Sequence, residues 1–230
     1  SHPAGDLRMI FRPDIKPPMW GPPDAVQYAV RVNAERMGVA PAKIASYLPL
    51  FEGAGFSALD LASGVVIPAS STNFGWNSGN LVLPSPPARL STTKHVVPVI
   101  GTGDYTVVVV ARPASLTQIN ALFAINNYDF AAAINTSGGL YIYDSGNKTS
   151  SNTMVPITKM SSMVFSRSSG AGKYYLDGVA DGSYSHLDSI PNPTTVTWLA
   201  DRPAAGYVFA GDVAFCLLSV EAFTSDQIAQ

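Results

Sequence analysis

The stretch that decides the fold is Asp104-Tyr105-Thr106-Val107-Val108-Val109-Val110-Ala111-Arg112-Pro113. Successive side chains of a β-strand point to opposite faces, so four consecutive valines make both faces of this segment apolar. A strand of this kind needs cover on both sides and therefore belongs at the centre of a sheet. We expect Val108 and Val110 to lie in the core.

From residue 46 onward the chain repeats this pattern of short strands and turns. Runs rich in Val, Ile, Tyr and Phe are bounded by Gly, Asn, Asp, Ser and Pro. Ser137-Gly138-Gly139 and Asp177-Gly178 are typical of hairpin turns. About a dozen such strands predict an all-β protein, a two-sheet antiparallel jelly-roll sandwich. The predicted strands span residues 46–51, 65–68, 80–83, 105–112, 121–125, 130–135, 140–143, 162–167, 173–176, 195–200, 207–209 and 212–220.

Residues 1–45 differ from the rest and predict an extended N-terminal docking arm. Prolines, which fix φ and lack a backbone donor, cluster in this segment. It also holds six of the fourteen lysines and arginines of the chain. Aromatic and Met side chains dominate interface cores. The predicted partner-binding anchors are therefore Phe11, Ile15, Met19 and Trp20.

Two helix signals flank the β region. A short helix is expected inside the arm, ended by Gly38. Thr224, with Gln227 three residues later, is a capping-box pattern that predicts a short C-terminal helix with Ile228 facing inward. The predicted organisation is an arm followed by one jelly-roll domain over residues 46–230.

Composition excludes several classes of protein. The chain has 230 residues, of which 47% are hydrophobic and 13% charged, with a net charge of −2. Those values are untypical of a disordered chain or a coiled coil, and they leave no basic surface for nucleic acid. No apolar run approaches the roughly 20 residues of a membrane span. A surface so poor in charge favours a homo-oligomer, and the single Cys216 is expected to be buried and inert.

The order of several motifs resembles that of laminin G-like, concanavalin A-like jelly-roll domains over roughly residues 46–230. The matching segments are Ser46-Tyr47-Leu48-Pro49-Leu50-Phe51-Glu52-Gly53-Ala54-Gly55 with Asp60-Leu61-Ala62-Ser63-Gly64, the valine strand 104–113, Met163-Val164-Phe165-Ser166-Arg167 with Lys173-Tyr174-Tyr175-Leu176-Asp177-Gly178, and Gly211-Asp212-Val213-Ala214-Phe215 with Phe223-Thr224-Ser225-Asp226-Gln227-Ile228. Phe11-Arg12-Pro13-Asp14-Ile15-Lys16-Pro17-Pro18, placed before the jelly-roll opening, is similar to the layout of bacteriophage virion proteins that carry this domain.

These resemblances imply a non-catalytic virion structural protein, such as a decoration or tail-associated subunit at the virion surface. Its partners would then be other virion subunits. The alternative is a carbohydrate-binding module that attaches to a cell-surface glycan and is itself secreted or displayed at the cell surface. The basic, proline-rich arm favours the first hypothesis, since a stand-alone lectin does not need one.

Catalytic and metal-binding residues are sparse. The chain has only three glutamates, and it lacks the Glu-x-Asp-x-x-Glu run of jelly-roll glycosidases, so no enzyme activity and no organic cofactor are predicted. Asp60 and Asp212 match positions that resemble calcium ligands in such domains, which makes calcium a candidate metal. Asp212 has a second interpretation, as an acceptor for the backbone donors of a tight turn.

Glycan binding needs exposed aromatic residues beside amides and carboxylates, and two loop-like segments offer them. The primary candidates are Trp76, Asn77, Asn127 and Tyr128. The further candidates are Tyr184, His186 and Trp198. Trp76 and Trp198 have a competing interpretation as side chains that pack in the core or in an oligomer contact.

Overall fold

The computed structural model describes residues 34–36, 38–50, 57–69, 75–77, 80–83, 90–92, 98–126, 129–144, 146, 150–199, 201–202 and 207–229. Within these ranges the chain is built almost entirely of strands and turns. Its elements are β1 (Ile44–Leu48), β2 (Ser57–Leu59), β3 (Val66–Pro68), β4 (Gly75–Asn77), β5 (Asn80–Leu83), β6 (Leu90–Thr92), β7 (Tyr105–Pro113), β8 (Asn120–Ile125), β9 (Phe130–Ile134), β10 (Leu140–Asp144), β11 (Ser161–Ser168), β12 (Ala171–Leu176), β13 (Val179–Ser185), β14 (Val196–Trp198), β15 (Asp201–Arg202), β16 (Tyr207–Val208), β17 (Gly211–Ser219) and the C-terminal helix α1 (Ser225–Ile228).

Two antiparallel sheets make the sandwich. The larger sheet runs in the order β13-β12-β11-β7-β17-β5-β4, and β1 also pairs with β17. The smaller sheet runs β10-β9-β8-β14-β6. Hairpins of consecutive strands, such as β11-β12-β13 and β8-β9-β10, are joined in each sheet to strands distant in sequence, as in the β7-β17 and β8-β14 pairs, and these pairings are antiparallel. The predicted all-β sandwich with a short C-terminal helix is confirmed.

Strand β7 lies at the centre of the larger sheet, between β11 and β17, as the valine run predicts. Val107 and Val109 are fully buried between the two sheets. Val108 and Val110 point to the outer face of the same sheet and are only partly buried. The prediction that Val108 and Val110 lie in the core is met only in part, since both pack, partly buried, against the outer apolar cluster, and four identical residues cannot indicate which face turns inward.

A second apolar cluster covers the outer face of the larger sheet. Ala34, Val39, Leu61 and Phe223 pack there around the residues that β7, β11 and β17 turn outward. The larger sheet is therefore covered on both faces, which is why its central strand tolerates a continuous apolar run. This outer face is consequently occupied by the chain itself.

The helix that precedes the sandwich ends as expected at Gly38. Residues 34–36 are helical, and Gly38 adopts a φ of 65°. The Gly38 N–H donates to Glu35 O at 3.0 Å and the Val39 N–H donates to Ala34 O at 2.8 Å. This pair of hydrogen bonds is a Schellman motif, in which glycine supplies the left-handed residue.

The sandwich begins earlier in the chain than residue 46. Ile44 already pairs with Ser219, and both Ala34 and Val39 are buried in the outer cluster. Composition failed to show this because the buried residues of this segment are few and spaced among polar ones. The remainder of the arm, residues 1–33, lies outside the described residues.

The C-terminal helix α1 is capped as predicted. Thr224 Oγ1 accepts from the Gln227 N–H at 3.2 Å, and Gln227 Oε1 accepts from the Thr224 N–H at 2.7 Å. Thr106 on β7 holds the preceding segment, since its Oγ1 donates to Glu221 O at 2.9 Å and accepts from the Phe223 N–H at 2.9 Å. Among the described residues, no helix is long and apolar enough to cross a membrane.

The predicted hairpin turns are both present. Asp177 and Gly178 join β12 to β13 with φ values of 51° and 79°, the paired positive values of a type I′ turn. The segment Ser137-Gly138-Gly139 lies in the loop between β9 and β10, where Ile134 pairs with Leu140. Asn135 Oδ1 stabilises that loop by accepting from the N–H groups of Ser137 and Gly139.

Candidate functional site

Strand register brings one set of loops to a single end of the sandwich, which we call the Tyr105 end. Tyr105 is the first residue of β7 and lies opposite Arg167 near the end of β11. In the smaller sheet, Phe130 pairs with both Ile125 and Asp144. The rings of Tyr105 and Phe130 lie 5.6 Å apart between the sheets. The loops that border this end include 98–104 and 186–195, together with the connection between β8 and β9, of which Asn126 and Asp129 are described.

Asn126 fixes the base of loop 126–129. It adopts a φ of 49°, a left-handed conformation that asparagine tolerates better than most residues. Its Oδ1 accepts from the Thr194 N–H at 2.6 Å, from Thr194 Oγ1 at 2.9 Å and from the Thr195 N–H at 3.3 Å. Its Nδ2 donates to Asn192 O at 2.7 Å. One side chain thus joins loop 126–129 to the second half of loop 186–195.

Arg167 fixes the other half of the same end. Its side chain is fully buried, and its guanidinium donates to Gly101 O at 2.8 Å, to Gly103 O at 3.0 Å and to Asp188 O at 3.0 Å. It also lies over the Tyr105 ring, 4.9 Å from the centroid. Loop 98–104 is thereby joined to loop 186–195.

A chain of buried polar side chains lies between the sheets below these loops. His186 Nε2 lies 2.6 Å from Asp144 Oδ2, and His186 Nδ1 lies 3.2 Å from the Tyr105 hydroxyl. The Tyr105 hydroxyl lies 3.0 Å from the Tyr184 hydroxyl, which donates to Ser166 O at 3.3 Å. Burial raises the pKa of both tyrosines well above the ordinary value near 10, so both remain protonated phenols.

This chain is sealed from solvent and cannot reach a substrate. His186, Tyr105 and Arg167 have no exposed surface, and Asp144 and Tyr184 are nearly as buried. An acid, an imidazole and a phenol in contact are the groups of proton-transfer catalysis, but here these side chains expose almost none of their surface. Their geometry suits a scaffold that holds the loops of the Tyr105 end.

Other described carboxylates also have structural partners. Asp177 accepts from the Ser162 N–H at 2.9 Å and from Lys159 Nζ at 2.6 Å. Asp181 accepts from Thr153 Oγ1 at 2.6 Å, which holds loop 150–153 against β13. These carboxylates position turns rather than flank an open cleft.

The structure does not bring the two calcium candidates together. Asp60 is fully buried, and its Oδ1 accepts from the backbone N–H groups of Tyr47 at 2.9 Å and Ala62 at 2.9 Å. Tyr47 pairs with Leu217, five residues from Asp212 along β17, so the two carboxylates are separated by roughly 16 Å.

Asp212 is engaged in a different contact. It forms an ion pair with Arg112 on the neighbouring β7. Across the described residues, no three His, Cys, Asp or Glu side chains are grouped so as to hold a metal ion. Asp60 and Asp212 therefore do not fit a shared calcium site.

The primary glycan candidates also separate. Trp76 and Asn77 lie in strand β4 at the edge of the larger sheet rather than in a loop, and their side chains are outside the description. Through β5 and β17, Trp76 is in register with Ala111, which lies six residues or roughly 20 Å from Tyr105. Asn127 and Tyr128 themselves lie outside the described residues. The loop to which they belong starts from the anchored Asn126.

The further glycan candidates are core residues. Trp198 has no exposed surface and packs against Phe123 with ring centroids 4.6 Å apart. Tyr184 and His186 belong to the buried chain described above. Their assignment to a surface site was wrong, and the competing interpretation of Trp198 as a core side chain is confirmed. A tryptophan in a short strand is buried on the inner face more often than it is displayed.

The sequence analysis did not identify Arg167 as a buried residue that holds two loops, although its position in β11 indicates this. Met163, Phe165 and Arg167 follow the two-residue period of one strand face, and the first two are buried in the core. A charged residue that continues an inward face is a candidate for a buried anchor. The partner-binding candidates Phe11, Ile15, Met19 and Trp20 all lie outside the described residues.

Comparison with known proteins identifies the family. The description "Concanavalin A-like lectin/glucanases superfamily", of the laminin G type, matches residues 71–229. The chain therefore belongs to this superfamily. No curated protein sequence matches it significantly.

Solved structures with a similar fold are distant in sequence. One is domain 4 of a GH43 extracellular arabinanase from Geobacillus stearothermophilus, in complex with arabinotriose, with a TM-score of 0.62 and 16% identity over 81% of this chain and 97% of that one. Another is a mutant Trypanosoma rangeli sialidase with trans-sialidase activity, with a TM-score of 0.65 and 11% identity over 90% of this chain. The match covers only 38% of the sialidase chain.

Proposed function

We propose that the protein is a non-catalytic carbohydrate-binding module whose ligand contacts loop 126–129. The observation that carries the proposal is the anchoring of Asn126, whose side chain makes four hydrogen bonds to residues 192–195. Two amide or aromatic residues, Asn127 and Tyr128, follow directly on this fixed base. The anchored Asn126 needs no ordering of its own when a ligand binds, which matters for weak, polar ligands such as sugars.

The family and one of its structural neighbours support this choice. The lectin-like jelly roll is a fold that many carbohydrate-binding proteins use. The arabinanase domain forms a separate unit of nearly the same extent as this chain, and its structure holds arabinotriose. This similarity is one of fold. Arabinose-containing oligosaccharides are therefore the first ligands to test.

Four of the described carboxylates support the non-catalytic part of the proposal. Glycoside hydrolysis by the common mechanisms needs two carboxyl groups about 5–9.5 Å apart across an open sugar site. Asp144 is sealed beside His186, and Asp60 is occupied by backbone donors. Asp177 and Asp181 hold turns.

A glycan panel tests the proposal. Arabinotriose, xylo- and cello-oligosaccharides and sialyllactose are titrated by calorimetry into the full chain and into Asn127→Ala and Tyr128→Ala. Asn152→Ala is the matched control, because Asn152 is exposed on a loop away from the Tyr105 end. At least one saccharide should bind, and the two loop variants should weaken it at least tenfold while the control does not. Binding that survives both changes, or release of shorter sugars, would overturn the assignment.

A second candidate function is a virion structural subunit, and it is favoured by the N-terminal segment. Residues 1–45 combine a proline cluster with six basic residues in a chain that is otherwise poor in charge. In that case the protein lies on a virion surface and binds other virion subunits through Phe11, Ile15, Met19 and Trp20.

Gel filtration with light scattering on the full chain and on a variant lacking residues 1–20 tests this second candidate. If residues 1–20 mediate assembly, the full chain forms an oligomer and the variant that lacks these residues is a folded monomer. Equal oligomeric states would contradict it. A secreted or surface-displayed location goes with the carbohydrate-binding function instead.

A further inference from the structure

The buried polar chain lies directly beneath the anchored loop. Phe130, the residue after loop 126–129, stacks on the His186 ring with centroids 5.8 Å apart and planes 7° apart. His186 in turn begins loop 186–195, which receives the Asn126 side chain. The protonation state of His186 therefore affects the packing beneath both loops.

The chain contains four hydrogen bonds in series. They join Asp144 to His186, His186 to Tyr105, Tyr105 to Tyr184, and Tyr184 to Ser166 O. Each bond needs one proton between its two heavy atoms. The terminal acceptors, a carboxylate and a carbonyl oxygen, supply none.

A neutral His186 beside an ionised Asp144 leaves this chain one proton short, and the missing proton belongs on the imidazole because it is the more basic of the two groups. A neutral imidazole contributes one N–H, and each of the two phenols contributes one O–H, which makes three protons for four bonds. If the ring donates to Asp144 and Tyr105 donates to the ring, Tyr184 must choose between Tyr105 and Ser166 O. One buried contact at hydrogen-bond distance then has no hydrogen, a costly state inside a core.

We infer that His186 is held as an imidazolium, so that all four bonds run in one direction. Nε2–H donates to Asp144, Nδ1–H donates to Tyr105, Tyr105 donates to Tyr184 and Tyr184 donates to Ser166 O. The added charge is balanced at 2.6 Å by the Asp144 carboxylate, the arrangement of a strong charge-assisted hydrogen bond.

Described groups on five strands surround His186. Asp144 on β10 favours the cation, Tyr105 on β7 and Tyr184 on β13 face it as neutral phenols, and Phe130 on β9 covers the ring. The positive charge of Arg167 on β11 disfavours a second cation at His186. The Tyr105 ring lies against this guanidinium, however, and the guanidinium N–H groups donate to three backbone carbonyls.

The inference makes His186 a positioning residue for the Tyr105 end, whether or not loop 126–129 binds a sugar. An unfolded histidine loses its proton near pH 6.5. Above that pH, folding takes up a proton, so the folding equilibrium constant falls about tenfold per pH unit until the native imidazolium itself titrates. Below pH 6.5 the stabilisation from this proton is fully present.

The test uses the full chain with His2 and His95 replaced by glutamine, so that His186 is the only histidine. Long-range ¹H–¹⁵N spectra at pH 7.5 distinguish an imidazolium, with two protonated ring nitrogens, from a neutral ring with one. Tyr184→Phe is the discriminating variant, because it shortens the chain to two bonds that a neutral ring and Tyr105 satisfy with two protons. Tyr175→Phe is the matched control, since its hydroxyl contacts Ser225 on the outer face.

The expected spectra show two protonated ring nitrogens in the parent and in Tyr175→Phe, and one in Tyr184→Phe. Denaturant unfolding from pH 6.5 to 8.5 should show a steeper loss of stability in the parent than in Tyr184→Phe. A neutral ring in the parent at pH 7.5 would overturn the inference. An imidazolium that persists in Tyr184→Phe would overturn the proton-count argument for it.

Discussion

Replacing Asn126 by glycine removes the anchor of loop 126–129 while keeping the backbone conformation. Glycine adopts the φ of 49° without strain, so the change reports the side chain alone. The four lost hydrogen bonds lie near the surface, where water replaces much of each, and we expect a net local loss of about 2 kcal/mol. That corresponds to roughly 30-fold faster opening of the segment that contains Thr194 and Thr195.

Amide hydrogen exchange measures this opening directly. The Thr194 and Thr195 N–H groups, which donate to Asn126 Oδ1, should exchange roughly 30-fold faster in Asn126→Gly. The matched control is Asn135→Gly, which removes a similar anchor from the Gly139 amide in another loop and should leave Thr194 unchanged. Unaltered exchange at Thr194 in Asn126→Gly would refute the anchoring on which the proposed binding loop depends.

Three further predictions concern the scaffold. Arg167→Met removes the donors of three loop carbonyls and should lower the free energy of unfolding by about 3 kcal/mol in urea, whereas an unchanged midpoint would contradict its anchoring role. Thr106→Val leaves the Phe223 N–H and Glu221 O without their partner and should cost about 2 kcal/mol by the same measurement; a loss below about 0.5 kcal/mol would contradict it. Burial raises the pKa of Cys216, so this thiol should resist a thiol reagent at pH 8 until urea unfolds the protein, and rapid native labelling would contradict its burial.

The features that could be predicted from the sequence are local ones. The valine run of β7 indicates a central strand because it makes both faces of one nine-residue strand apolar. Asp177-Gly178 indicates a tight hairpin because few residue pairs accept two positive φ values. Thr224 and Gln227 indicate a capped helix for a similar reason, since both hydrogen bonds form within one turn.

The features that could not be predicted depend on contacts between the sheets. Asp144 and His186 are 42 residues apart; Asp144 ends β10 of the smaller sheet and His186 directly follows β13 of the larger one, so only the register of several strands brings them to 2.6 Å. A shift of one residue in either strand would turn one of them to solvent. Asn126 directly precedes the candidates Asn127 and Tyr128, but its own partners 66–69 residues later carry no local signal.

The central claim is that a saccharide binds at the Tyr105 end through loop 126–129. Backbone amide shift mapping of the ¹⁵N-labelled full chain tests it most directly, with arabinotriose or the tightest-binding member of the glycan panel. The largest saturable shifts are expected in loop 126–129 and in the neighbouring residues 191–195. Shifts centred on residues 75–77 or on the outer face of the larger sheet would contradict it, as would the absence of binding by every member of the panel.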